Sequence, residues 1–300
     1  MGTPRTGFEI DGCKGYHDID GQDYLVLESD KLEQYISCLA KRKIKRIVLA
    51  DEFGYKYNTL DFIEKLPFLE GLKIAESCNI KDFGLLYSLK NIVYLSLPKN
   101  KYPLDFSYFP NLPELIMTWN SKYKNHEKCK NLKWLWITIF NAKSKTLHEI
   151  PSLCNLQHLT TVWSNVTSFL GLAPQPLLRQ IDLEYCTKLE SHEGLEVTKN
   201  SLIHLQINNS KKLRNHDFVT KLENLEILRL NHCGEVDNIR FLYQMPNLRS
   251  FAFVDTNVLD GDLSPLFNLD NVGFINKRHY SHTNLEVKEK ISKRKANKTN

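Results

Sequence analysis

With 300 residues, 42% hydrophobic and 25% charged, the chain has the ordinary composition of a soluble globular protein, which argues against wholesale disorder. No apolar run approaches the roughly 18 residues that crossing a bilayer requires. The formal charge of +5 is concentrated near the end, where six Lys or Arg stand against two Glu between Glu286 and Asn300. The remainder is close to neutral and does not form the broad basic footprint of a nucleic-acid-binding protein.

Residues 1–43 are expected to form an N-terminal cap of hairpin and helix. Met1 to Ile10 lack the basic start and apolar stretch of a secretory leader. Met1-Gly2-Thr-Pro-Arg-Thr6 fits the N-myristoylation pattern, a match short enough to arise by chance. Phe8-Glu-Ile10 and Tyr24-Leu-Val-Leu27 read as strands separated by Gly12, Gly15 and Gly21. Ser29 or Asp30 is placed to cap a helix from Lys31 to about Arg42. Its apolar stripe is Leu32, Tyr35, Ile36 and Leu39.

From Ile44 to about residue 275 one phrase recurs. It is clearest at Leu225-Glu-Ile-Leu228-Arg-Leu230-Asn-His-Cys233, with aliphatic residues at positions one, four and six. Copies begin at Ile44, Leu69, Ile92, Leu112, Leu132, Leu156, Leu178, Leu202, Leu225, Leu248 and Leu269. The copy at Leu156 carries Thr161 at its sixth position and is the weakest. Junctions such as Pro110-Asn111, Lys130-Asn131, Glu223-Asn224 and Pro246-Asn247 precede the leucines, and the returning segments between copies look short and partly helical. A period of roughly 20 to 25 residues is the mark of stacked repeats. After Phe274 the pattern stops, and residues 276–300 are expected to form a C-terminal cap and a basic tail, frayed or helical and solvated.

The phrase L-x-x-L-x-L-x-x-C resembles the internalin-type leucine-rich repeat of bacterial proteins. That resemblance covers about residues 44–275 and implies an α/β repeat fold. The expected architecture is a leucine-rich-repeat solenoid of about eleven repeats with a parallel sheet on its concave side. It also implies a non-enzymatic protein-interaction role. Without a secretion signal or wall anchor in the sequence, the expected location is the cytoplasm. The seven cysteines agree with a reducing compartment, because their number is odd, no Cys-x-x-Cys pair occurs, and Cys186 and Cys233 follow the repeat at position nine.

If the leucines point inward, positions three, five and seven point outward, with eight at the strand's end. Equal positions in successive parallel strands form ladders about 4.8 Å per step. The eighth-position ladder reads Trp119, Ile139, Trp163, Tyr185, Asn209, His232, while Tyr94, Trp134 and Trp136 add positions three and five. All four tryptophans thus fall on one outward face. Such rings offer large contact area at small rotamer cost and dominate binding hot spots. The expected partner-binding residues are Tyr94, Trp119, Trp134, Trp136, Trp163 and Tyr185, oriented by Arg179, Glu184, Arg229 and His232. The bland alternatives are rings packed beneath irregular loops and a merely solvated polar face. The partner expected is a protein, with nucleic acid and membrane disfavoured and no cofactor or metal implied.

Competing chemistry is weaker. Asp182, Glu184, His204 and His232 could meet on the sheet, but an open face offers little water exclusion for catalysis. His279 and His282 are three apart without acidic or thiol companions, which is thin for a metal site. By analogy alone, the chain could be an immunity-type inhibitor of a toxin encoded nearby. A rival of a different class is membrane-surface or nucleic-acid association through the basic tail.

Overall fold

The computed structural model describes residues 6–18 and 21–299. Met1 to Arg5, which hold most of the myristoylation pattern, lie outside them. The chain divides into two compact units, Met1–Leu135 and Trp136–Asn300.

In the first unit, β1 (Thr6–Ile10) and β2 (Cys13–His17) pair antiparallel across Asp11 and Gly12. Both turn residues are left-handed, with φ of 51° and 71°, as a two-residue hairpin turn demands. β3 (Asp23–Val26) runs antiparallel to β2 and parallel to β4 (Arg46–Leu49). Between them α1 (Leu32–Arg42) buries Tyr35, Cys38 and Leu39 and ends at Lys43, φ 55°. The expected Ser29 or Asp30 side-chain cap does not form. A 3-10 turn leads into the helix, and the Ser29 hydroxyl instead accepts the Lys56 N–H at 2.8 Å.

β5 (Gly71–Ile74), β6 (Tyr94–Leu97) and β7 (Glu114–Thr118) continue in parallel. Their fourth positions stand side by side as Ile47, Leu72, Leu95 and Leu115, all buried. Removing such aliphatic side chains from water contributes about 1.5–3 kcal/mol each. Asparagines tie repeats together from outside the strands. Asn120 Nδ2 donates to the carbonyls of Asn100 and Tyr102, and Asn131 donates to Asn111 Oδ1 at 3.1 Å.

β8 (Trp134–Thr138) contains the division between the units. In the second unit, β9 (His158–Val162), β10 (Gln180–Glu184), β11 (His204–Asn208), β12 (Ile227–Asn231), β13 (Ser250–Ala252) and β14 (Asn271–Gly273) are parallel and lie in chain order. Leu159, Ile181, Leu205, Leu228, Phe251 and Val272 are in register, one per repeat. Short 3-10 turns return the chain, for example at His216–Lys221 and Arg240–Gln244. One short strand per repeat, with equal positions stacked, is the leucine-rich-repeat fold. Thr161, the polar exception, is fully buried, and its hydroxyl meets the Cys186 thiol at 3.7 Å. Position nine anchors each turn to backbone: Ser164 Oγ donates to Phe140 O, Cys233 Sγ to Ile207 O at 3.2 Å, and Thr256 Oγ1 to Leu230 O.

The lysine-rich end is helical, with most of its side chains exposed. It forms α2 (Asn284–Thr299), whose start carries a capping box in which Glu286 accepts the Thr283 N–H and hydroxyl. Val287 and Ile291 are buried, and Arg294 donates to Leu269 O at 2.7 Å and Asp270 Oδ1 at 2.9 Å. Two apolar residues at helical spacing and one bonded guanidinium therefore cover the last repeat. No helix among the described residues is long and apolar enough to cross a membrane.

Candidate functional site

The second unit's outward face is built from positions three, five, seven and eight of its repeats. Position eight has a conformation that the register alone does not reveal. Ile139, Trp163, Tyr185, Asn209, His232 and Asp255 are all left-handed, with φ between 50° and 57°. The first five tuck their N–H back onto the next repeat: Trp163 N donates to Glu184 O at 2.9 Å, Tyr185 N to Asn208 O at 3.1 Å, and His232 N to Val254 O at 2.8 Å. The ladder thus extends one residue past each strand before position nine turns inward. Only Asn209 and Asp255 suit this geometry readily. For the others the left-handed region costs about 1–2 kcal/mol each, most for the β-branched Ile139.

That turn projects side chains off the strand's end. Trp163 is 57% exposed and Tyr185 46%, with ring centroids 6.2 Å apart at 37°. Beside them runs a hydrogen-bonded lattice. Glu184 Oε1 accepts from Gln206 Nε2 at 3.0 Å and Asn208 Nδ2 at 2.5 Å, and Arg229 Nη1 donates to Gln206 Oε1 at 3.0 Å. Asn231 donates to Asn208 Oδ1 and accepts the Val254 N–H. At the strands' other end, Asp182 Oδ2 accepts from His158 Nε2 at 2.8 Å and Gln180 Nε2 at 2.9 Å. Burial holds the half-covered His204 below its ordinary titration range, so it is neutral near pH 7. These polar side chains are fixed by one another and lose little entropy on meeting a ligand.

The expected residues are distributed as follows. Trp163, Tyr185, Glu184 and Arg229 share the ledge and its lattice. His232 occupies the ledge two repeats beyond Tyr185 and approaches Asp255 at 3.4 Å, a half-exposed pair of little energetic weight. Arg179 is exposed at position two, before β10 begins, away from the ledge. Trp136 points outward from β8, half-buried, between the inward Leu135 and Ile137.

In the first unit, Trp134 is 37% exposed. Trp119 is half-buried and lies parallel to His126, centroids 6.1 Å apart at 17°. His126 also stacks on Phe106 at 4.8 Å, and burial pushes its imidazole down to about 4. Tyr94 meets Tyr24 edge-on at 6.2 Å, under the Arg46 guanidinium at 6.0 Å, and burial raises its phenol. Trp119 and Tyr94 thus belong to separate side-chain clusters. Sequence reasoning had not singled out His158 or Asn208, although their places at positions three and seven put them on the same face as Asn231.

His279 Nε2 contacts Val258 O at 2.9 Å while His282 Nδ1 contacts Ser281 Oγ, so the two rings turn to different partners. Among the described residues no group of three or more His, Cys, Asp or Glu could hold a metal ion.

No family model matches the chain. No curated protein matches it either. Among solved structures, an internalin of Listeria monocytogenes is similar at 17% identity, covering 88% of this chain and 94% of that one with a TM-score of 0.48. A leucine-rich-repeat protein of Leptospira interrogans is 14% identical over 83% of this chain and 74% of its own, TM-score 0.36. The receptor TLR13, solved in complex with a single-stranded RNA, is 17% identical over 86% of this chain and 51% of its own, TM-score 0.40.

Proposed function

We propose that the chain is a non-enzymatic protein-binding scaffold of cytoplasmic, bacterial type, which engages its partner through the outward, concave face of the repeats. The observation that carries this reading is the left-handed ledge. A backbone position suited to Gly or Asn is occupied by Trp163 and Tyr185, whose rings touch each other and leave about half their surface in solvent, at a cost in folding energy. Covering the exposed parts of two such rings removes roughly 200 Å2 of surface, about 5 kcal/mol gross at 25 cal/mol per Å2. The lattice around Glu184 and Arg229 supplies a pre-ordered polar rim, with His232 and Arg179 as outer charges. Trp136 extends the contact set in the second unit, and Tyr94, Trp119 and Trp134 do so in the first. All seven cysteines are free, and six of them are buried, in keeping with a reducing compartment.

The test is affinity capture from native lysate with the wild-type chain and with Trp136→Ala and Trp163→Ala. The expected outcome is that a protein held by the wild type is lost from both variants while their melting curves stay cooperative. Retention of every captured protein by both folded variants would remove the aromatic face as the site.

A further inference from the structure

A depression of about 770 Å3 opens on the outward face of the first unit, within the range of small-molecule sites. Its floor comes from Val26 of β3, Val48 and Ala50 of the β4 repeat, and Ala75 after β5. These are positions five and seven of their repeats. In the second unit the same positions carry Asp182, Glu184, Gln206, Asn208, Arg229 and Asn231. Small apolar side chains at these places hollow the face, with Lys73, beside Val48 at position five of the next repeat, as the long polar exception.

Two walls are set by the fold. The β1–β2 hairpin stands on one side and contributes Tyr16, whose ring lies flat on Tyr24 at 5.3 Å and 3°. On the other side is the turn after β4, where Gly54 has φ 106° and Phe53 is left 61% exposed at the mouth. A solvent-exposed ring beside an apolar hollow is unused contact area.

The charges around the rim decide what kind of molecule fits. Glu28, Asp30 and Glu52 face Lys14 and Lys73. Glu28 is shared between Lys14 at 3.0 Å and Lys31 at 2.9 Å. Glu52 accepts the Ser77 hydroxyl and its own backbone N–H, and among the described residues neither Asp30 nor Glu52 enters an ion pair. Three carboxylates against two lysines leave the lining net negative beside two aromatic rings, a combination that attracts a cation through both carboxylate contact and the ring faces.

We propose that this depression binds a small organic cation with an apolar body, a hydrophobic amine. Its apolar part rests on Val26, Val48, Ala50 and Ala75. Its positive end lies at the rim by Asp30 and Glu52, flanked by Phe53 and Tyr16. The site is built from first-unit residues alone and does not rest on the reading of the second unit's ledge.

The probe is a cationic dimethylaminostyryl-pyridinium dye titrated into the full chain and followed by fluorescence, with the anionic anilinonaphthalene sulfonate as counterpart. Saturable one-to-one binding of the cation is expected. It should be blocked by Ala75→Phe, which fills the hollow, and weakened about tenfold by Glu52→Gln, the effect of one desolvated charge contact. Trp163→Ala should leave it unchanged. Val26→Lys, which places a charge on the floor from a half-buried position of β3, gives a second blocking variant if Ala75→Phe does not fold. Absence of saturable binding, unchanged binding in the folded floor variants, or tighter competing binding of the anionic dye would each overturn the proposal.

Discussion

The two units use one inward ladder and two different outward edges. In the first, position nine is Ser77, Asn100 or Asn120, and the residues before it, Glu76, Lys99 and Trp119, are not left-handed. The asparagine amides reach back across the repeat and hold the turn open. In the second, position nine is Ser164, Cys186, Ser210, Cys233 or Thr256, and position eight is left-handed in six repeats. In the second unit the left-handed turn at eight carries the eighth side chain off the strand's end, whether position nine is Phe140 or a small hydroxyl or thiol. The first unit has a smooth edge and a hollow apolar floor. The second has a polar floor and a ledge of projecting rings. The contrast teaches that the leucines set the stack, while the residues after them set which part of the outward face is offered to a ligand.

The shared ladder gives the largest expected effect. Leu72→Ala and Leu205→Ala each empty a fully buried position, one per unit, and each should destabilise by about 2–5 kcal/mol in urea unfolding. A midpoint unmoved by either would mean that this unit's core is not built on the inward ladder.

Acid should then separate the units. His192 and His216 stand at the same place in successive repeats of the second unit, Nε2 to Nδ1 at 3.3 Å, and the remaining ring nitrogen of each is buried without a partner. Burial holds His192 well below its ordinary value and His216 at about 4. Arg214 acts in the same direction on His216, and Asp237 opposes it. The folded pKa values lie below the unfolded value of about 6.5, so the unfolded chain takes up more protons as pH falls through 6.5. Stability present at pH 7 is therefore lost between pH 6.5 and about 4, by about 2 kcal/mol per histidine near pH 5. The first unit has His126 in the same condition, one ring against two. Hydrogen exchange at pH 5 should show the segment around His192 and His216 opening first, and His192→Phe should blunt that loss. Equal acid sensitivity in that variant would contradict the pair's role.

Much of this contrast was legible in the sequence, and the limits are physical. The inward leucines declare themselves by period, so the fold and the outward placement of Trp134, Trp136, Trp163 and Tyr185 could be read from register. The left-handed backbone could not, because Trp, Tyr and Ile are residues that the region disfavours; Asn209 and Asp255 are the ones that suit it. The hollow was readable in principle, since Val48, Ala50 and Ala75 are apolar at positions where an exposed strand face is usually polar. His192 and His216 occupy the place filled in the next repeat by the buried Ile239, a clue that only the repeat period supplies. Whether the tail would be frayed or helical was left open by its composition, in which Val287 and Ile291 are the buried apolar residues among many lysines.

The central claim is that the ledge gives up stability to display rings. Trp163→Asn, set beside Lys99→Asn at the matching position of the first unit, measures it directly by equilibrium unfolding and partner capture on the same samples. Relief of the left-handed strain should raise the stability of Trp163→Asn by about 0.5–1 kcal/mol, abolish capture, and leave the Lys99→Asn midpoint unraised. A Trp163→Asn chain that is no more stable than wild type and still holds its partner would contradict the account.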